Sequence, residues 1–326
     1  MPGTSPRAPR FLASAPRRRS PALVGLLAAP LLALTACGGS SGTPADEPTA
    51  SASAGGDFPV TVTGANGDVT LEERPEDIVS MSATATEMLF AIGAGDQVEA
   101  VDDNSNHPAE APTTDLSAFT PNAEAIAGYE PDLVVLSNDT NGIVDALETL
   151  DVPVLLLEAA ADLDDTYAQI ELLGEATGHP EEAAEVVADV RDRIQAAVDS
   201  VPADAAGQRV FHELGPELYS ADSSTFIGSI YSLFGLENIA DGAADASGGY
   251  PQLSAEYVVD QAPEIIVLAD TRCCAQSAET VAQRPGFGDV PAVVDGRVVE
   301  ADDDVASRWG PRVADFAETV AGALQG

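Results

Sequence analysis

Asn122 to Thr140 reads NAEAIAGYEPDLVVLSNDT, and Ser254 to Arg272 reads SAEYVVDQAPEIIVLADTR. The two stretches align without a gap at a constant offset of 132 residues. Each holds Ala-Glu, a short helix-like run, a proline, an acid and then four apolar residues. Short repeats, of roughly 20–50 residues, build solenoids. A single repeat at this longer spacing points instead to two similar lobes. The chain is therefore expected to be bilobed, with a ligand held between the halves.

Outward from the repeat, the pattern is α/β. Phe58 to Thr63 and Asp68 to Glu72 alternate around Asn66-Gly67, a hairpin signal. Strands are expected at Asp77–Met81, Val98–Val101, Asp132–Leu136 and Val154–Leu157, and helices at Thr84–Ile92, Ala123–Gly128 and Ile143–Leu150. Strands alternating with helices imply crossover units and parallel sheets. From Leu163 to about Val201 the chain reads as helix, broken only at Gly178-His179-Pro180. A helix of roughly 20 residues, about 30 Å long, midway between two similar halves is best placed as a connector. Beyond it come a strand at Arg209–Leu214, helices at Phe226–Phe234 and Ala255–Gln261, a strand at Glu264–Leu268, a strand or strand pair over Val293–Glu300, and a closing helix from Pro311 to Leu324. The resulting domain map is an N-terminal lobe over 58–178, a connector over 179–202 and a C-terminal lobe over 203–326.

Residues 1–37 read as a signal peptide. Arg7, Arg10, Arg17, Arg18 and Arg19 precede an apolar run from Pro21 to Ala36 that is short for a membrane span. The run ends in Leu34-Thr35-Ala36-Cys37-Gly38, which resembles a bacterial lipobox, with Cys37 as the lipidated residue of the mature chain. The protein is then expected on the outer side of the cell membrane, held by acyl chains. Residues 38–57, rich in Gly, Ser, Thr, Ala and Pro, read as a flexible tether. Gly38-Gly39-Ser40-Ser41-Gly42 fits the pattern of a nucleophile elbow, but that turn needs a strand before it and a helix after it. The formal net charge is −40, and the chain has no lysine. Such acidity argues against nucleic acid and against direct adhesion to anionic lipid, and it makes the few arginines conspicuous.

Taken in order, Arg74-Pro75-Glu76-Asp77-Ile78-Val79-Ser80, Ser82-Ala83-Thr84-Ala85-Thr86-Glu87-Met88-Leu89-Phe90-Ala91-Ile92-Gly93, Pro121-Asn122-Ala123-Glu124-Ala125-Ile126, Glu130-Pro131-Asp132-Leu133-Val134, Leu253-Ser254-Ala255-Glu256 and Ala262-Pro263-Glu264-Ile265-Ile266-Val267 resemble the periplasmic binding proteins for ferric siderophores, haem and cobalamin, the lipoprotein receptors of ABC importers. The resemblance runs from Phe58 to the C-terminus. It implies two α/β lobes, each with a mainly parallel sheet flanked by helices, joined by one long helix, with a shallow cleft between them and small closure. It also implies no enzymatic activity, no cofactor and no metal held by the protein itself. The implied partners are a permease dimer with its ATPase subunits. The implied function is capture of a ferric siderophore, with cobalamin as the alternative ligand and haem as the next.

The resemblance assigns permease docking to one glutamate per lobe, here Glu124 and Glu256. Acids in a first helical turn are also favoured by the helix dipole alone, so a purely stabilising role stands beside docking. The cleft is expected at the strand ends of both lobes. Phe119, Tyr250 and Trp309 are candidate aromatic contacts, with partial core burial as the other reading. Arg308 and Arg312 match a region where family members carry an arginine for the ligand's anionic groups, and Arg272 is a third candidate. Arginine's planar fork suits carboxylate, catecholate or hydroxamate oxygens, although each arginine has acids nearby with which to pair. Cys273-Cys274 reads either as a vicinal disulfide, favoured by an oxidising compartment, or as two thiols. His107, His179 and His212 are scattered, unlike a zinc or manganese site, and haem ligation by one of them, by Met81 or by a tyrosine stays open. A hydrolase would need a nucleophile with its base or a carboxylate pair, and no such motif stands in a suitable context.

Overall fold

A computed structural model describes residues 58–243 and 247–325. The expected signal peptide, Cys37, the glycine-serine stretch at 38–42 and the rest of the expected tether lie outside them. The chain opens with the hairpin β1 (Val60–Gly64) and β2 (Gly67–Leu71). The first lobe follows as β3 (Ile78–Met81), α1 (Ala83–Ala91), β4 (Val98–Val101), α2 (Ala123–Ala127), β5 (Leu133–Leu136), α3 (Ile143–Glu148) and β6 (Val154–Leu156). Two long helices come next, α4 (Leu163–Thr177) and α5 (Pro180–Asp199). The second lobe comprises β7 (Arg209–Glu213), α6 (Phe226–Leu233), β8 (Glu237–Asn238), α7 (Ala255–Gln261), β9 (Ile265–Leu268), α8 (Thr271–Cys274), α9 (Ala278–Ala282), α10 (Pro291–Val294), β10 (Val298–Glu300) and α11 (Val313–Gln325).

The two four-stranded sheets share one topology. Their orders are β4-β3-β5-β6 and β8-β7-β9-β10, and every pairing within them is parallel. The 132-residue repeat explains the match. Asn122 and Ser254 are both N-caps, their side chains accepting from the N–H three residues on, in Ala125 and Tyr257. Ile126 and Val258, equivalent in the repeat, are both fully buried. The acid after each proline pins the start of the neighbouring strand: Asp132 accepts from the N–H of Asp77, and Glu264 from that of Arg209.

Strand side chains alternate between faces, and that alternation partitions the core. Leu133, Val135, Ile265 and Val267 point into one apolar cluster, Val134 and Leu136 into a second, and Ile266 and Leu268 into a third. The first cluster runs without a break from the first lobe through α4, α5 and α11 into the second lobe. The lobes therefore share a core along the connector. The reason is the amphipathic α5, whose buried Ala183, Val187, Val190, Ile194 and Ala197 recur at helical spacing and face both α4 and α11.

The break at Gly178-His179-Pro180 is where α4 ends and α5 begins. Gly178 takes a left-handed conformation (φ 78°), and Pro180 fills the first position of α5. One expected strand is corrected. Val293 and Val294 belong to α10 rather than to a strand, because Pro291 starts a helical turn there, and Gly296 at φ 69° then redirects the chain into the shorter β10.

Candidate ligand-binding cleft

In each sheet the chain runs outward in opposite directions from the adjacent central strands β3 and β5, and β7 and β9. Ligands of open α/β sheets settle beyond the carboxyl ends of strands at such switch points. In the first lobe, the end of β3 is tied by a buried hydroxyl network. Thr86 Oγ1 donates to Ser80 Oγ at 2.9 Å, and Ser105 Oγ donates to Asp102 at 2.5 Å. This fixes the loop after β4, from which Phe119 projects with 75 % of its surface exposed.

In the second lobe, Glu213 ends β7 and Asp270 follows β9, both fully buried. Arg284 grips Glu213 with both terminal nitrogens, at 2.6 and 2.5 Å. Neither carboxylate oxygen of Asp270 has a hydrogen-bond partner among the described residues. Burial, reinforced by the neighbouring Glu213 charge, pushes the Asp270 carboxyl up to about 7. Asp270 also starts α8, whose free N–H groups are taken by another loop: Asp303 accepts from the N–H of Arg272 and Cys273. Partial burial opposes the charge on Asp303, but these bonds and that from Thr271 outweigh it and hold its carboxyl below the ordinary range. Within α8, Cys273 and Cys274 form a disulfide.

Tyr250 lies half exposed in the loop before α7, its phenol raised by burial and by Asp222. The sequence places Tyr219 at the end of an expected cleft loop, His212 to Tyr219, without singling it out as an aromatic contact; it is 46 % exposed and bridges to Gln252 close to Tyr250. The second lobe thus offers two exposed tyrosines, and the first offers Phe119. The sequence signal for Tyr219 is its place in the loop that follows the apolar strand β7.

The arginines depart from a picture of free cations. Arg272 bonds Asp302 and Asp304 at 3.2 and 3.1 Å. Arg308 and Arg312 converge on Glu87 of α1, whose side chain is only 2 % exposed. Trp309, partly buried, donates its indole N–H to Gln169 on α4. Glu87 carries its own sequence signal, the one charge in α1, but its partners lie more than 200 residues away.

His212 and Met81 are buried, and burial lowers the His212 imidazole to about 3 while its Nδ1 pairs with the Tyr231 hydroxyl. His107 is exposed, and His179 pairs with Arg74 beside α5. Among the described residues no group of three or more His, Cys, Asp or Glu is placed to hold a metal ion. Glu124 and Glu256 are both exposed in the first turns of α2 and α7.

Comparison with known proteins accords with this architecture. Residues 78–305 match the family model described as periplasmic binding protein. An uncharacterized ABC transporter substrate-binding lipoprotein, YvrC of Bacillus subtilis, is 31 % identical over 91 % of this chain and 95 % of its own. A cobalamin-binding protein of Halobacterium salinarum is 32 % identical over 79 % of this chain and 72 % of its own. The crystal structure of the periplasmic vitamin B12 binding protein BtuF of Vibrio cholerae superposes with a TM-score of 0.66 and 26 % identity, covering 77 % of this chain and 97 % of that one. The chain belongs to the periplasmic binding protein family, in its class III iron and B12 branch: it is a non-catalytic, extracytoplasmic solute-binding protein of an ABC transporter.

Proposed function

We propose that this protein captures cobalamin outside the cell membrane and delivers it to an ABC importer. The observation that carries the ligand choice is the state of the arginines. Arg272, Arg308 and Arg312, the three expected to meet an anionic ligand, are all paired with Asp302, Asp304 or Glu87. A polyanionic tricatecholate complex of iron, or the propionates of haem, would meet a cleft margin rich in acids and poor in unpaired cations. Cobalamin presents an amide-rich periphery, and its cobalt and corrin charges largely offset its phosphate. Exposed Phe119, Tyr219 and Tyr250 give such a broad, weakly charged ligand flat apolar surfaces. The names of the halobacterial and Vibrio relatives support the same ligand. A ferric siderophore ranks second on this reading.

In the full cycle, Cys37 carries the lipid anchor, the cleft loops take up the ligand, and Glu124 and Glu256 meet basic residues of a permease dimer. Their equivalence in the repeat suits a twofold partner. Calorimetric titration of the purified protein with cyanocobalamin, a ferric tricatecholate and haemin tests the ligand. Cyanocobalamin is expected to bind at least about ten-fold more tightly than either iron ligand, a difference of about 1.4 kcal/mol. Tighter binding of the ferric complex overturns the choice of cobalamin.

A further inference from the structure

The segment between β10 and α11 reaches across to the first lobe and bonds it at several points. Arg308 Nη1 donates to Glu87 Oε1 at 2.8 Å and to Asn106 Oδ1 at 3.0 Å, and its Nη2 reaches the Asn104 carbonyl at 3.0 Å. Arg312 Nε donates to Glu87 Oε2 at 2.8 Å. Asn106 returns a bond to Asp304 at 2.8 Å, and the Trp309 indole donates to Gln169 at 3.1 Å. Gly310 sits against the same residues of the first lobe: a Cβ there would lie at ordinary contact distance, 3.4 Å from Glu87 Oε2 and 3.6 Å from the Thr84 side chain. The ion pairs that Arg308 and Arg312 make across this seam share one buried carboxylate.

We propose that Glu87 is a positioning residue for solute transfer. By holding Arg308 and Arg312 it sets the separation of the two lobes, and with it the spacing of the exposed Glu124 and Glu256. It is also the contact that gives way when the lobes are drawn apart. The transfer role rests on the reading of the chain as the receptor of an importer; the seam itself does not. Two arginines sharing one carboxylate form a bistable joint. Made, it is dry and bidentate; broken, it leaves charges that water must solvate. A joint of this kind favours two discrete lobe separations over a continuum.

Trp309 makes the seam observable, because it is the only tryptophan in the chain and its N–H bond joins the segment before α11 to α4. The test is acrylamide quenching of Trp309 in the ligand-free protein, in Glu87→Gln and in Arg312→Gln, alongside far-ultraviolet circular dichroism and cyanocobalamin titration. Both variants are expected to keep the wild-type dichroism while the quenching constant rises about two-fold. Cyanocobalamin affinity is expected to fall about ten-fold as the population shifts to separated lobes. The double variant is expected to show less than the sum of the single effects, because both residues act in one joint. A merely structural role for Glu87 inside the first lobe would lower the melting temperature and leave quenching below that temperature unchanged. Unchanged quenching in either folded variant overturns the proposal, and Arg312→Gln decides alone if Glu87→Gln does not fold. If the wild type fails to bind cyanocobalamin, the ligand reading falls while the quenching comparison still decides the seam.

Discussion

Replacing Asp270 with asparagine isolates the titration of a buried carboxyl that holds its proton. Asp270 is fully buried beside Glu213; among the described residues no donor reaches its oxygens, and the Glu213 carboxylate is placed to accept from the protonated acid. Its carboxyl is raised from 3.8 to about 7, first by burial and then by the Glu213 charge. Folded Asp270 therefore keeps its proton through a range in which the unfolded residue has lost it. Over that range the native state binds one proton more than the unfolded state, so this group's contribution to stability falls as pH rises. The slope is about 1.4 kcal/mol per pH unit, about 4 kcal/mol across the whole window, and it levels off above the folded value. An asparagine side chain would be neutral at every pH, nearly isosteric, and able to donate to Glu213. Denaturant unfolding of both proteins between pH 4 and pH 8, followed by Trp309 fluorescence, gives the comparison. The stability of Asp270→Asn minus that of the wild type is expected to be lowest near pH 4 and to rise by several kcal/mol by pH 8. Subtraction removes the contribution of the many surface acids common to both proteins. A difference that stays flat across this range would refute a proton held at Asp270.

Further expectations concern other parts of the fold. Asn122→Ala and Ser254→Ala remove the caps of α2 and α7; each is expected to cost about 1 kcal/mol, additively in thermal or denaturant unfolding because the sites lie in different lobes. Lysine at both Glu124 and Glu256 is expected to abolish ligand uptake by cells while leaving the ligand affinity of the purified protein unchanged; a fall in affinity would contradict a docking role. Phe119→Ala is expected to weaken cyanocobalamin binding by about ten-fold, the scale of a typical aromatic contact, with little change in stability because most of the ring is exposed. For the disulfide within α8, thiol titration of a form beginning after Cys37 is expected to find no free thiol before reduction and two afterwards, even in denaturant.

The sequence exposed the architecture because the repeat recorded it. Asn122 and Ser254, Glu124 and Glu256, Ile126 and Val258, and Leu133 and Ile265 hold equivalent places, since the same local physics of cap, helix face and buried strand was applied twice. The connector was legible for the same reason, its apolar residues recurring at helical spacing between Gly178-Pro180 and the second lobe. The cleft was less legible, because its chemistry comes from long-range pairings. Nothing near Arg308 or Arg312 in sequence announces Glu87, more than 200 residues earlier. Arg308 and Arg312, candidate ligand contacts in the sequence, both pair with Glu87, and the tryptophan between them bonds Gln169. The shared core was hidden as well, because hydrophobic spacing marks which face of α5 is buried but not that both lobes meet there.

Hydrogen exchange with and without cyanocobalamin tests most directly whether both lobes clasp the ligand at their strand ends. Protection is expected together in the loops around Phe119, Tyr219 and Tyr250, with the outer helices α3 and α9 unchanged. Protection confined to one lobe, or centred on the hairpin of β1 and β2, would contradict a cleft formed by the two halves.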